Sequence, residues 1–419
     1  MLFTTLGSVA FSLPPFPSDT VYLPAALWIG LALIASIISI RTGISLALTE
    51  ILVGVLAGNF LHIQSNDWIN FLAGFGSVLL TFLAGAEIDP QSLRKHLKAS
   101  LALGAVGFFV PFLGVFALAY WGVHWNLHAA LIGGIALSTT SVAVVYAVMV
   151  ETGLNRTEIG KLILAACFVN DLGTVLALGI IFANYNIWLV LFVAVTAVTL
   201  LLLPRLTRWV VNRWGGRVSE PEVKFLFLVL FALGGLATIA RSEAVLPAYL
   251  IGLVVAGTLM HNRVITNRMR STAFALLTPF YFLKAGSLVS LPVLITATGA
   301  GLVSLFFLAK MITKIAGIRP TTKALGMGSR VSNYTTLLMA TGLTFGSIAA
   351  LFGLTNGYID RMQYTILVTV VILSAVIPTF FAQGFFRPRV DLGEAGADAK
   401  AIEAANNPEE REVAGALDE

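Results

Sequence analysis

The chain is 419 residues long, 58% hydrophobic and only 11% charged, which excludes a soluble globule and leaves a polytopic membrane protein. The formal net charge of +5 reflects membrane topology and not nucleic-acid binding, because the basic residues sort by loop. A single cysteine, Cys167, excludes an intrachain disulfide framework and supplies too few sulfur ligands for a structural zinc site.

Residues 1–20 lack the basic region of a secretory signal and carry Pro14, Pro15 and Pro17, so they are expected to form a short external leader. Residues 21–386 are the expected transmembrane domain. They contain recurring apolar stretches long enough to cross about 30 Å of hydrocarbon, roughly thirteen on the ~20-residue criterion. These fall near 21–40, 43–61, 70–88, 98–121, 128–150, 158–183, 186–204, 223–240, 244–260, 271–290, 292–316, 329–351 and 361–386. Alternate loops collect the positive charge: Arg41; Arg94, Lys95 and Lys98; Arg156 and Lys161; Arg205, Arg208, Arg213, Arg217 and Lys224. The same side receives Arg263, Arg268 and Arg270, then Lys314, Arg319, Lys323 and Arg330, then Arg387 and Arg389. Only Arg241 and Arg361 fall opposite. The asymmetry predicts an external N-terminus, a cytoplasmic C-terminus and an odd number of crossings. The setting expected is the plasma (inner) membrane of a prokaryotic cell. Residues 387–419 turn acidic and polar and are expected to be a disordered cytoplasmic tail.

Within the spans, polar residues break the apolar pattern at few places. Glu50 reads either as a pathway residue or as a satisfied polar contact. Ala136-Leu-Ser-Thr-Thr-Ser-Val-Ala-Val144 and Val331-Ser-Asn-Tyr-Thr-Thr-Leu-Leu-Met339 each put small hydroxyl residues in mid-span. Such residues glue helices together, or satisfy backbone groups where a helix unwinds. One cluster in each half of the chain matches the paired broken helices of inverted-repeat transporters. Thr139, Thr140, Thr335 and Thr336 are the hydroxyls concerned, and the oxygens of Thr139 and Thr140 suit a hard alkali ion. Asn170-Asp171 lies inside the run 162–182 with no basic residue in its own span. A carboxylate at that depth costs at least ~2.5 to 3.5 kcal/mol on insertion scales and marks a functional site by default. Cys167 and Thr174 share the Asp171 helix face, although a thiol is a soft ligand, better suited to packing. Lys284, among Phe, Tyr, Leu, Ala and Gly, is the expected basic partner. Lys310 is expected to snorkel toward the cytoplasmic boundary.

These residues resemble the cation:proton antiporter superfamily, in particular its branch of Kef-type and bacterial sodium/proton exchangers. The resemblance covers nearly the whole membrane region. Phe82-Leu-Ala-Gly-Ala-Glu-Ile-Asp-Pro90 is similar to the family's third helix, 134–151 to its fifth with the Thr break, and 162–179 to its sixth, which ends a paired motif in the essential aspartate. Pro279-Phe-Tyr-Phe-Leu-Lys-Ala-Gly286 resembles the tenth helix, with Lys284 where several members carry a base. The resemblance implies an all-α fold of two inverted repeats with crossed discontinuous helices, a mobile core and a dimerisation domain. It also implies a homodimer that exchanges protons for Na+ or K+ by alternating access, without a cofactor. Asp171 would then be the competitive proton and cation site, Lys284 its charge compensator, and Glu87 an accessory group paired with Asn170. Relatives with two adjacent aspartates and a lysine are generally electrogenic, those with Asn-Asp generally electroneutral; this chain mixes the two patterns.

Two rival readings remain at this point. A Kef-like potassium efflux system shares the fold but carries a large cytosolic nucleotide-binding module. An organic-solute symporter has no need of Lys284. Nothing resembles a HExxH, GxSxG or phosphate-loop motif, so no enzyme activity is expected.

Overall fold

The fold is described from a computed structural model, for residues 22–42, 44–86, 97–152, 154, 157–183, 186–240, 244–261 and 263–388. The expected leader 1–20, most of the acidic tail, and Glu87 and Asp89 lie outside the described residues. The regular elements among the described residues are all helical. In lipid that follows from the need to satisfy every backbone group within one segment.

The first part of the chain forms α1 (Tyr22–Thr42), α2 (Leu46–Leu56, extended by a π-turn, Ala57–Leu61), α3 (Asp67–Ala86) and α4 (Leu97–Ala117). Next come α5 (Leu127–Ser138), α6 (Val142–Glu151), α7 (Glu158–Ile181), α8 (Ile187–Trp214) and α9 (Pro221–Ile239). The second part contains α10 (Val245–His261), α11 (Arg263–Thr272), a π-turn (Ala273–Leu277), α12 (Thr278–Ser287) and the short α13 (Leu291–Leu294). It ends with α14 (Ala297–Ala324), α15 (Ser329–Met339), α16 (Thr344–Thr355) and α17 (Arg361–Phe385).

Among the described residues ten helical stretches are long and apolar enough to cross a membrane, and Leu46–Leu61 and Val245–Leu259 are shorter apolar helices. The expected span 271–290 is instead composite, with a π-turn between α11 and α12 and Pro279 in the first turn of α12. Two span ends moved substantially. The stretch expected at 186–204 continues to Trp214 through Pro204, and the one at 292–316 continues to Ala324 through Pro320. Proline ends a helix in water more readily than in a membrane bundle, where neighbouring groups re-satisfy the freed carbonyl.

Helix caps fix several span starts. Asn126, Thr157, Asn186 and Thr296 each accept from the backbone N–H three residues on, and Asp360 with Gln363 forms a complete capping box at α17.

The helices sort into two packed groups. In one, α4 lies between α5, α7 and α14, while α14, α15, α16 and α17 pack on one another and α16 returns to α5. In the other, α3 packs on α10 and α12, α2 on α1 and α12, and α8 on α9 and α10. The contact of α10 with α7 joins them, and the Tyr249 hydroxyl there donates to the Phe168 carbonyl at 3.0 Å. The two interrupted spans, α5–α6 and α15–α16, are the deepest: 78% of the apolar stretch of each is buried, against 56% or less for the other eight.

Candidate functional site at the helix crossover

The first Thr-containing cluster breaks its helix at the expected place, whereas the second, 331–339, stays helical in α15 and the break follows it. Residues 139–141 between α5 and α6 and 341–343 between α15 and α16 are non-helical and buried. The two breaks meet: Ser141 N–H donates to Thr341 O at 3.0 Å, and Thr140 Oγ1 donates to Met339 O at 2.8 Å. Each break leaves one half-helix ending on unpaired carbonyls and another starting on unpaired N–H groups, so partial charges of both signs converge there.

Close approach depends on glycine. A methyl group at Gly342 would fall on Lys310 Nζ and lie 3.1 Å from Thr139 Oγ1; one at Gly346 would lie 2.9 Å from Ala136 O. Gly342→Ala is therefore expected to destabilise the protein by about 1–3 kcal/mol through overpacking. Thermal unfolding in detergent checks this, with the exposed Gly328→Ala as the control.

Asn170 and Asp171 arrive from α7 and are 0% and 1% exposed. Asn170 Nδ2 donates to Ser138 O, the last carbonyl of α5, at 3.3 Å. A carboxylate could not make that bond, so the Asn of the pair belongs to the crossover. The approach of α4 is part of the same arrangement, since a methyl at Gly107 would meet Asn170 Nδ2 at 3.5 Å. Asn170 Oδ1 and Asp171 Oδ1 are both buried without a hydrogen-bond partner. Both are acceptor oxygens on consecutive residues, the donor type a hard alkali ion takes.

The remaining expected site residues divide. Thr139 Oγ1 donates to Ala136 O at 3.0 Å, Thr174 Oγ1 to Asn170 O at 3.2 Å, and Thr336 Oγ1 to Ser332 O at 2.7 Å. Thr335 Oγ1 is buried and unpartnered. Thr140 sits at the crossing but also accepts from Lys314 Nζ at 3.0 Å, and a hydroxyl facing an ammonium is a poor place for a second cation. Cys167 is fully buried in an apolar cluster with Ile163, Leu338 and Met339, which agrees with packing. Among the described residues no group of three or more His, Cys, Asp or Glu side chains is placed to hold a metal ion.

Two lysines other than the expected Lys284 reach the crossover. Lys284 is half-buried on α12, a helix packed mainly against α2 and α3. The lysine that reaches the crossover beside Asn170-Asp171 is Lys314 of α14, through Thr140 Oγ1, and Lys310 lies one turn away on the same helix face. Both lysines are 0% exposed. Lys310 does not snorkel outward: its Nζ donates to Ser374 Oγ of α17 at 2.9 Å, beside Gly342. Lys314 reads from the sequence as a cytoplasmic loop charge because its span is expected to end at 316. Their spacing is the available signal, since Lys310 and Lys314 at i and i+4 must share one face of any helix that holds both. Tyr249 and Ser374 carry no such signal.

An all-helical membrane protein in which two interrupted, buried spans meet beside a buried carboxylate and two buried lysines has the construction of a secondary transporter. Residues 29–385 match the family described as sodium/hydrogen exchanger, transmembrane. The chain belongs to that family, which is one of antiporters and not of enzymes. It is 23% identical over 353 residues to the probable Na(+)/H(+) antiporter 3 of Methanocaldococcus jannaschii, covering 81% of this chain and 90% of the relative. It is 24% identical over 370 residues to the Na(+)/H(+)-K(+) antiporter GerN of Bacillus cereus, covering 82% and 90%. In fold it is similar to the sodium proton antiporter MjNhaP1 of M. jannaschii, with a TM-score of 0.67 at 16% identity over 88% of this chain and 99% of that one.

Proposed function

We propose that the protein exchanges protons for a monovalent cation, with Na+ as the first candidate and K+ as the second, by alternating access. Proton and cation compete for Asp171. The observation that carries this reading is a dry carboxylate at the meeting point of two broken helices, with one of its oxygens lacking a partner. Such an oxygen holds a proton or a small cation but not both, and that exclusion couples the two fluxes. Asn170 fixes the end of α5 and offers its free oxygen to the cation. Lys314 balances Asp171 when the cation is absent, and Lys310 holds α17 against the break at Gly342.

Only Asp171 of the pair is ionisable, which favours one proton per cation and no net charge movement. If Lys314 also releases its proton as the cation arrives, two protons move and transport is electrogenic; buried lysines readily do so. The asymmetry of Lys and Arg supports an external N-terminus and a cytoplasmic C-terminus in a plasma membrane. A homodimer is part of the same reading, on the resemblance.

The deciding experiment is cation-driven proton flux in proteoliposomes, with Na+ and K+ separately, first with free and then with clamped membrane potential. Flux with at least one cation, unchanged by the clamp, is the expected result. Flux that responds to voltage moves Lys314 into the proton cycle. No flux with either ion overturns the proposal in favour of a solute symporter.

A further inference from the structure

A second buried acid lies away from the crossover. Glu50 on α2 is 1% exposed, and both of its carboxyl oxygens are buried without a hydrogen-bond partner. Its helix packs on α12 with the backbones in direct contact. A methyl at Gly54 would fall on Leu283 O, one at Gly58 on Ser287 O, and one at Gly286 on Ile51 O. Glu50, Gly54 and Gly58 follow at i, i+4 and i+8 and so share the stripe facing α12. With Gly54 beside Leu283 and Gly58 beside Ser287, Glu50 falls one turn earlier, at the depth of Thr278 and Pro279. The helix is irregular at that depth: the π-turn Ala273–Leu277 ends there, Pro279 offers no N–H, and Thr278 Oγ1 is buried and unpartnered. Irregular backbone and unsatisfied polar atoms at membrane depth are tolerated chiefly where a function uses them.

We infer that Glu50 is a second proton-binding site, which holds its proton while α2 and α12 are packed as seen here and releases it when that contact opens. A dry carboxylate with neither a counter-charge nor a hydrogen-bond donor is far too costly to keep ionised, whereas the neutral acid is tolerable. Among the described residues the ionisable groups on the packed elements do not supply compensation, since none hydrogen-bonds to either Glu50 oxygen. On α1 they are Tyr22 and Arg41, both exposed at the helix ends, and on α12 they are Tyr281 and Lys284. The Tyr281 hydroxyl reaches Ser347 Oγ at 3.5 Å, and the π-turn that extends α2 carries no titratable residue.

Helix α12 also connects this acid to the group of helices that contains Asp171. Tyr364 of α17 donates to Ala285 O at 2.6 Å, Ser290 N–H donates to Thr365 Oγ1 at 3.0 Å, and Tyr281 meets α16 through Ser347. Displacement of α16 and α17 therefore pulls on the helix that covers Glu50. This coupling rests on the exchange proposed above; the proton site itself does not.

The test is infrared difference spectroscopy of the purified protein in lipid, between acidic and alkaline buffer, for the wild type, Glu50→Gln, Glu50→Asp and Asp171→Asn. A protonated-carboxyl C=O band that disappears at alkaline pH is expected in the wild type and in Asp171→Asn. It is expected to be displaced in Glu50→Asp and missing in Glu50→Gln, whose amide matches the neutral acid in shape. Identical spectra for the wild type and Glu50→Gln overturn the inference, as does a Glu50-dependent band that does not change with pH. In proteoliposomes, Glu50→Gln should keep flux at acidic pH and alter only the alkaline limb of the profile. Loss of wild-type flux would sink the exchange reading and leave the infrared result standing.

Discussion

Replacing Asp171 by Asn is expected to reduce cation-driven proton flux to that of protein-free liposomes while leaving a folded membrane protein. The amide preserves the volume and both heavy-atom positions of the side chain, so the packing of α7 against α4 is kept. It can neither release a proton nor present a negative charge to a cation. A second readout separates loss of binding from loss of movement. A cation that binds only the folded state stabilises it by RT ln(1 + [L]/Kd), about 2.7 kcal/mol at a hundredfold excess over Kd. Wild-type thermal unfolding should shift upward with the transported cation, and that of Asp171→Asn should not. Flux comparable to wild type in the variant would remove Asp171 from the mechanism, whatever its burial.

Truncating Lys314 should produce the second large effect, this time on stability as well as transport. The ammonium is fully buried and donates to Thr140 Oγ1 at the crossover, so Lys314→Met leaves that hydroxyl without its donor and removes the positive charge that the proposal sets against Asp171. Leaving a buried polar group without its hydrogen-bond partner typically costs about 1–3 kcal/mol, more where a charge is involved. Part of the loss returns if Asp171 takes up a proton, and the variant should then resemble a permanently protonated carrier: folded, poorly stimulated by cations. Lys284→Gln is the contrasting case. Half-buried on α12 and without a hydrogen bond to its ammonium among the described residues, Lys284 should tolerate the change within about 0.5 kcal/mol. If Lys284→Gln abolishes exchange while Lys314→Met is silent, the assignment made from the crossover geometry is wrong and the one suggested by the resemblance is right.

The contrast between these lysines shows how far the sequence could be read. Both are single charges in apolar surroundings, and at 1.5 Å of rise per residue an uncertainty of several residues in a span end moves a lysine from the interface to mid-membrane. For Lys314 that uncertainty decided everything: a span taken to end at 316 makes it a loop charge, and a helix that continues past Pro320 to Ala324 makes it a core residue. Glu50 could not be resolved either, since burial of a polar group and satisfaction of a polar group are independent facts. The structure gives the first and denies the second. By contrast, the first Ser/Thr cluster marked a gap, while the second lies in the helix just before its gap, because hydroxyls in an apolar span serve as glue as readily as they line a break.

What the sequence determined by itself was whatever depends on local chemistry: a membrane protein from composition, most of the spans from apolar run length, the first break from its hydroxyl cluster, and Asp171 as a candidate from the cost of its burial. Those properties are written one segment at a time, because in lipid each span must satisfy its own backbone. The tertiary structure decided what depends on pairing across the chain. Thr140 meets Met339, Asn170 meets Ser138, and Lys310 meets Ser374, contacts that join residues 32 to 199 positions apart. Which lysines reach the crossover follows from the packing of α14 against α4, α15 and α17, and that packing is set by glycine-scale steric fit that no single segment records.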